Sequence, residues 1–313
     1  MKKLYLVDVS SMFFRAFYAI PPLRTKAGLP TNALYGFLSM TIKLLRENRP
    51  DYMVFCFDRK EPSFRSELYQ EYKANRTEMP EDLSPQIPYI RELSEKLGVL
   101  CIDKLQFEAD DIIGTLAKFG ANNNLSVSIV SGDKDFAQLV NEQIFLYDTM
   151  KDIRYDHDGV IAKWGVAPDQ MIDYLAIVGD TSDNIPGVKG VGPKGAQKLL
   201  AEFKTLENIY NNLDKIKSES VRTKFIECKE AAFLAKKLVT IVTDMDLNLS
   251  VDDMKLKPID KENLKKMLEL FEFHSLSRKL FDENIDGATN FIKKVNKAQA
   301  GQSSNSNKNI KAG

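Results

Sequence analysis

FEADDIIGTLAKFGANNNLSVSIVSGDKD, residues 107–135, holds the repeating unit of the fold. Residues 109–119 space their apolar side chains as a helix does, and SVSIV at 126–130 is an apolar run of strand length. Acids stand at both ends of this unit. Glu108, Asp110 and Asp111 open the helix, while Asp133 and Asp135 follow the strand directly. Working outward, LYLVD (4–8) ends on Asp8, YMVFCFD (52–58) ends on Asp58, and GDTSDN (179–184) supplies Asp180 and Asp183. Further strand signals fall at 98–102 and 143–147, and helix-like patterns near 32–46, 84–97 and 134–140. Such alternation predicts an α/β fold with a mostly parallel sheet flanked by helices. In a parallel sheet the strand C-termini converge on one crevice, the place where ligands bind.

Any one of these nine carboxylates would pass as a loop or capping acid. Asp110 and Asp111 would also complement the dipole of the helix they begin. Gathered at strand ends, however, they would repel each other unless cations lay between them, and hard divalent ions take oxygen ligands. The pattern therefore points to divalent-metal phosphoryl transfer. With only His157 and His274 in 313 residues, a nucleophile–histidine enzyme is disfavoured. Three cysteines without metal-ligand spacing read as reduced thiols of a cytoplasmic protein. No leader or membrane span is expected. The formal charge is zero, but with the nine acids set aside 44 basic residues face 35 acidic ones. Two divalent ions would leave the molecule at about +4, compatible with nucleic acid.

Strand signals thin out after residue 168, where Pro168 can open a helix reaching Ile177. The expected organisation is an α/β core over 1–175, a helical subdomain over 176–285 and a basic disordered tail over 286–313. The segment GDTSDNIPGVKGVGPKGAQKLL, 179–200, is the most specific text in the chain. Gly187, Gly190, Gly192 and Gly195 punctuate a turn, and a helix begins near Pro193. Its amides and dipole, with Lys189, Lys194 and Lys198, suit a phosphate. It is not a Walker loop. The aromatic cluster Phe13, Phe14, Phe17 and Tyr18, like Trp164, reads mainly as packing.

In order, YLVDVSSMFFRAFYA, VFCFDRKEPSFR, EYKANRTEMPEDL, FEADDIIGTLA, VSIVSGDKDFAQLV and GDTSDNIPGVKGVGPK resemble the 5′-nuclease family. This family comprises flap endonucleases, phage 5′ exonucleases and the N-terminal 5′→3′ exonuclease region of bacterial DNA polymerase I. The resemblance runs from about residue 3 to 285. It implies a PIN-like core, a helical arch near 70–97 and a helix–three-turn–helix subdomain for duplex DNA. It implies two Mg²⁺ or Mn²⁺ ions. Asp8, Asp58, Glu108, Asp110, Asp111 and Asp133 would serve the tighter metal region, and Asp135, Asp180 and Asp183 the second. Lys73 and Arg76 would hold the scissile phosphate, with Arg65 a further candidate, and Tyr72 would stack on a base. Gly187, Lys189, Gly190, Gly192 and Lys194 would bind duplex backbone, aided by K⁺ on the turn's carbonyls. The implied activity is structure-specific 5′ cleavage of flapped or nicked duplexes and RNA-primed DNA by a monomer, beside a DNA polymerase, in primer removal and excision repair. Gly195 departs from the threonine common at its place in relatives, and polymerase I would continue beyond this chain's tail. Two other readings are a PIN-like single-strand ribonuclease and a catalytically silent junction-binding protein.

Overall fold

The computed structural model describes residues 1–281; the tail expected over 286–313 lies outside the described residues. Six strands form one sheet in the order β3-β2-β1-β4-β5-β6. They are β1 (Lys3–Asp8), β2 (Tyr52–Cys56), β3 (Leu100–Ile102), β4 (Ser126–Val130), β5 (Ile144–Asp148) and β6 (Ile153–Tyr155). All neighbours are parallel except β5 and β6. The strand order reverses between β1 and β4. Their C-terminal ends, carrying Asp8 and leading to Asp133, therefore flank the topological switch point where α/β sheets bind ligands.

Side chains alternate across the sheet as strand geometry requires. Leu4, Leu6, Val54, Val127 and Ile129 face one core, which Ile112, Ile113 and Leu116 of the helix Ala109–Asn122 cover. Tyr5, Val7, Met53 and Phe55 face the other, beneath the helices Val9–Ala19 and Asn32–Lys43. Beyond Tyr155 the described chain is helical or irregular. The helices Met171–Val178, Pro193–Phe203 and Lys229–Val239 extend the first core. The last two, Lys261–Leu270 and His274–Phe281, return to the second, where Leu264, Leu268 and Leu276 are buried. The residues from 176 to 281 thus divide their contacts between both faces of the sheet.

The stretch 70–97, expected as a helical arch, is helical only in its second half. Residues 70–75 are consecutive turns, 76–80 are irregular, and the only α-helix in the stretch, Ile87–Lys96, is packed through buried Ile90 and Leu93. The reason lies in the chain itself. KANRTEMPED has no apolar stripe to bury, Pro80 interrupts it, and Lys73 takes a left-handed backbone (φ 59°). We refer to residues 70–77 as the strap. The expected helix at 134–140 tightens to a 3₁₀ segment, Asp135–Leu139.

Candidate active site

Asp8 is at once the last residue of β1 and the cap of the next helix. Its Oδ1 accepts from the Ser11 amide (2.9 Å) and its Oδ2 from the Ser131 hydroxyl beyond β4 (2.8 Å). Ser131 Oγ in turn accepts from the Asp133 amide (3.1 Å), so one serine ties the ends of β1 and β4 together. Asp58, just past β2, accepts from the Ala109 amide and fixes the first turn of the helix that carries Asp110. Burial, then the neighbouring Asp58, pushes the Asp8 carboxyl up to about 7. Burial, then Asp8, Asp133 and Asp58, raises Asp110 well above the usual carboxylate range. Asp8, Asp58, Asp110 and Asp133 are therefore brought together as mutually repelling charges.

A second group adjoins the first. Burial, then Asp133, raises Asp135, whose Oδ1 is buried without a hydrogen-bond partner. Asp180 pairs with Lys134 and accepts from the Ser182 amide, and this outweighs its burial and lowers its carboxyl. Asp183 meets Arg76 at 2.7 Å and Lys73 at 3.7 Å. Glu108 takes Lys73 at 3.0 Å and the hydroxyls of Ser63 and Tyr72. Burial works to raise Glu108, yet Lys73 and Arg65 hold it below the usual range. Lys134, in the middle of SGDKD, was not singled out in the sequence; its spacing between two of the acids was the available signal. Arg15 was missed too. Its guanidinium lies over Gly132, where any side chain would collide with it, and it pairs with Asp148 at 3.1 Å.

Three expected roles are corrected. Asp111 is fully buried, with both oxygens on Arg65 (2.7 and 2.8 Å) and further bonds from the Glu108 and Val242 amides. It has no face toward the crevice, because one helical residue turns the side chain through about 100° from Asp110. Arg65, equally buried, also donates to the Leu238 and Thr240 carbonyls and cannot reach a phosphate. Tyr72 is 7% exposed, so its ring lies inside and not against a base.

The Gly-rich turn divides in the same way. A Cβ on Gly187 would lie 2.5 Å from the Gly179 nitrogen and the Ile177 carbonyl, so this glycine serves backbone packing and not phosphate. Gly190 (φ 79°), Gly192, Lys189 and Lys194 are exposed. Gly192 precedes the helix Pro193–Phe203 and is open around its Cβ position. Lys224, not anticipated from the sequence, donates to the Gly190 carbonyl at 3.1 Å. Phe13 is buried and Trp164 packs on Tyr155, but Tyr18 is 72% exposed.

Comparison with known proteins bears on this geometry. The model of the 5′-3′ exonuclease N-terminal resolvase-like domain matches residues 3–165, and that of the 5′-3′ exonuclease C-terminal SAM fold matches 166–262. The chain belongs to the 5′-3′ exonuclease family. It is 41% identical to a 5′-3′ exonuclease of Aquifex aeolicus over 280 residues, covering 90% of this chain and 96% of that protein. It is 44% identical to DNA polymerase I of Caldicellulosiruptor bescii over 284 residues, covering 89% of this chain but 33% of the relative. The chain thus spans about a third of the polymerase it matches. Its fold resembles the bacteriophage T5 flap endonuclease in a pseudo-enzyme–product complex with DNA and metal ions. There the TM-score is 0.64 at 21% identity, covering 87% of this chain and all of the other. The chain is accordingly a nuclease with a PIN-like sheet and a helical second part. Among the described residues no helix is long and apolar enough to cross a membrane.

Proposed function

We propose that this nuclease cuts DNA phosphodiesters at 5′ flaps, nicks and RNA-primed junctions, as a monomer in the cytoplasm beside a DNA polymerase. The observation that carries this reading is the group of unpaired acids at the switch point, bordered by the cations of the strap. The T5 relative's complex with DNA and metal ions supports the same substrate class. The division of labour would follow the chain: a catalytic core to about 175, then helical segments that grip duplex.

Among the described residues no three acids, histidines or cysteines stand close enough to form a ready metal cage. Yet the raised Asp8, Asp110 and Asp135 report carboxylates near enough to repel. The two facts agree for Mg²⁺ or Mn²⁺. Mg²⁺ keeps much of its water and needs only one or two carboxylates plus substrate phosphate. The orphaned Asp135 oxygen and the all-oxygen donor set fit such ions. Asp8, Asp58, Asp110 and Asp133 would serve one ion, and Asp135, Asp180 and Asp183 the other, one or two directly and the rest through the ion's waters. Glu108 would hold Lys73 between the two. Bound there, two divalent ions supply an activated water and neutralise the leaving oxygen.

Lys73 and Arg76 then have a task of their own. Both stay charged, since Glu108 and Asp183 raise Lys73, and Asp183 raises Arg76, against their burial. Poised beside the acids, they would donate to the non-bridging oxygens of the scissile phosphate as charge develops. At the Gly-rich turn, Lys189 and Lys194 would meet duplex phosphates. The Gly190 carbonyl, which already holds an ammonium, would suit K⁺ as well. Recognition would be of backbone and shape, without base readout.

The test is a 5′-labelled flap, a nicked duplex and a single strand, each incubated with Mg²⁺ and with EDTA. Cleavage of the first two in Mg²⁺ alone is expected. Preference for the single strand, or cutting in EDTA, would overturn the proposal.

A further inference from the structure

Lys73 and Arg76 face a difficulty of position. Their ion-pair partners, Glu108 and Asp183, are themselves candidates to serve cations, so those pairs weaken whenever another cation neutralises the acids. A strap held by them alone would drift as the site filled. Two neutral contacts avoid this. Asn184 Nδ2 donates to the Glu71 carbonyl at 2.7 Å, and Asn75 Nδ2 donates to the Thr181 carbonyl at 2.6 Å. Between them the Lys73 amide donates to the Asp183 carbonyl at 2.9 Å. The strap is thus stitched to residues 181–184 at three successive points.

The two sides are unequal. Residues 181–184 form a closed turn whose base is a reciprocal backbone pair, Asp180 with Ile185 (2.9 and 2.7 Å), and Asp180 Oδ1 accepts from the Ser182 amide inside it. The strap has its own turn bonds, such as Arg76 N–H to the Lys73 carbonyl, and one buried anchor, Tyr72, whose hydroxyl donates to the same acids, Glu108 and Asp183; its segment from Lys73 to Arg76 has no closed turn of this kind. The rigid side therefore sets the position of the loose one. Both Lys73 (φ 59°) and Asn184 (φ 54°) sit in the left-handed region, which side chains other than glycine and asparagine avoid. A strained lysine backbone persists where its surroundings over-determine it, and the asparagine stitches are those surroundings.

We infer that Asn184 and Asn75 are positioning residues, an uncharged clamp that fixes Lys73 and Arg76 over the carboxylates whatever cations those carboxylates hold. The inference rests on the nuclease reading above for its catalytic consequence, but the clamp itself is a property of the free protein.

Two measurements test it. In Asn184→Gly the left-handed backbone remains easy while the amide is lost, and Asn75→Ala removes the other amide from an exposed position. Amide exchange at Lys73 in the free, folded protein should quicken about tenfold or more in the double variant. Wild-type exchange there would overturn the clamp whether or not the protein cuts DNA. Single-turnover cleavage of a 5′ flap in Mg²⁺ at saturating enzyme should slow about ten- to a hundredfold in the double variant. Flap affinity in Ca²⁺ should stay within about twofold, because the amides touch no phosphate. With Lys73→Ala and Arg76→Ala already in place, adding the double variant should cost little more, since the clamp acts through those two residues. Full-rate cleavage, or losses that multiply, would overturn the inference. A wild type that leaves the flap intact would instead overturn the nuclease reading, with the exchange result still deciding the clamp. If Asn184→Gly fails to fold, Asn75→Ala alone carries both measurements.

Discussion

The two groups of acids differ less in their residues than in their company. Around Asp8, Asp58, Asp110 and Asp133 the near charges that raise Asp8 and Asp110 are other carboxylates. A few residues away, Glu108, Asp180 and Asp183 each have a Lys or Arg within ion-pair distance. Farther in, Asp111 has a guanidinium of its own and is sealed from solvent. A folded chain normally pairs buried charge, so a group left in mutual repulsion marks a place built for an outside cation. The paired group has a different use. Its cations, Lys73, Arg76 and Lys134, are available to a phosphate once the acids are otherwise neutralised.

The most forceful way to break this comparison is to neutralise one acid of each kind. Asp133→Asn, in the unpaired group, should slow flap cleavage by more than about a thousandfold, since the ions' stabilisation of the transition state is worth several kcal/mol. Binding to a flap in Ca²⁺ should persist, because affinity comes from phosphate contacts elsewhere. Glu108→Gln, in the paired group, should lose less. Gel shift and single-turnover cleavage on the same preparations give the answer. Equal and small losses in both would mean that the absence of internal partners says nothing about metal.

Removing a cation from a sealed pair sharpens the comparison from the other side. Arg65→Met leaves Asp111 charged, buried and without its guanidinium, a change that typically costs about 3–5 kcal/mol. It should lower the midpoint of urea unfolding in EDTA, with Arg65→Met combined with Asp111→Leu recovering part of the loss. An unchanged midpoint in Arg65→Met would return Asp111 to the ranks of the crevice acids.

How far the sequence foretold this arrangement depends on the scale of the question. The convergence of Asp8, Asp58 and Asp133 followed from acids at the ends of apolar runs, because parallel strands leave their C-termini on one side. The helix after Gly192 followed from Pro193. What failed was always a matter of direction or neighbour. Asp110 and Asp111 are adjacent in sequence yet face different surroundings, and only the helical angle between them could have warned of it. Arg65 is sealed by the carbonyls of Leu238 and Thr240, some 175 residues away, which no local pattern reveals. The strap looked helical by resemblance alone, whereas its own composition lacks an apolar face. Three-residue β6 and the return of Lys261–Leu270 to the second core were equally beyond local signals.

The smallest effect expected is also the one that isolates the unpaired group. In the unfolded chain Asp8 loses its proton near 3.8, and in the folded one near 7. Between those values the folded protein holds the extra proton, so the contribution of Asp8 to stability is fully present below about pH 4 and is lost as pH rises through 7. Asp110 and Asp135 shift in the same direction. The paired acids Glu108 and Asp180 shift downward, so their contribution is lost only as pH falls below the ordinary carboxylate range. A window from pH 5 to 8 therefore reads the unpaired group with little interference from the paired one. In EDTA the melting temperature should fall by a few degrees across that window, on the scale where 1 kcal/mol moves a chain of this size by about 2–4 °C. Mg²⁺ binds the folded site and not the unfolded chain, so it should recover the loss at pH 8 by mass action. Asp8→Asn removes one of the repelling charges and should flatten the slope in EDTA. Thermal melts of both proteins at four pH values, with and without Mg²⁺, decide the matter. A wild-type curve that is flat or rises toward pH 8 in EDTA, or an Asp8→Asn curve as steep as wild type, would mean that these acids do not share a field.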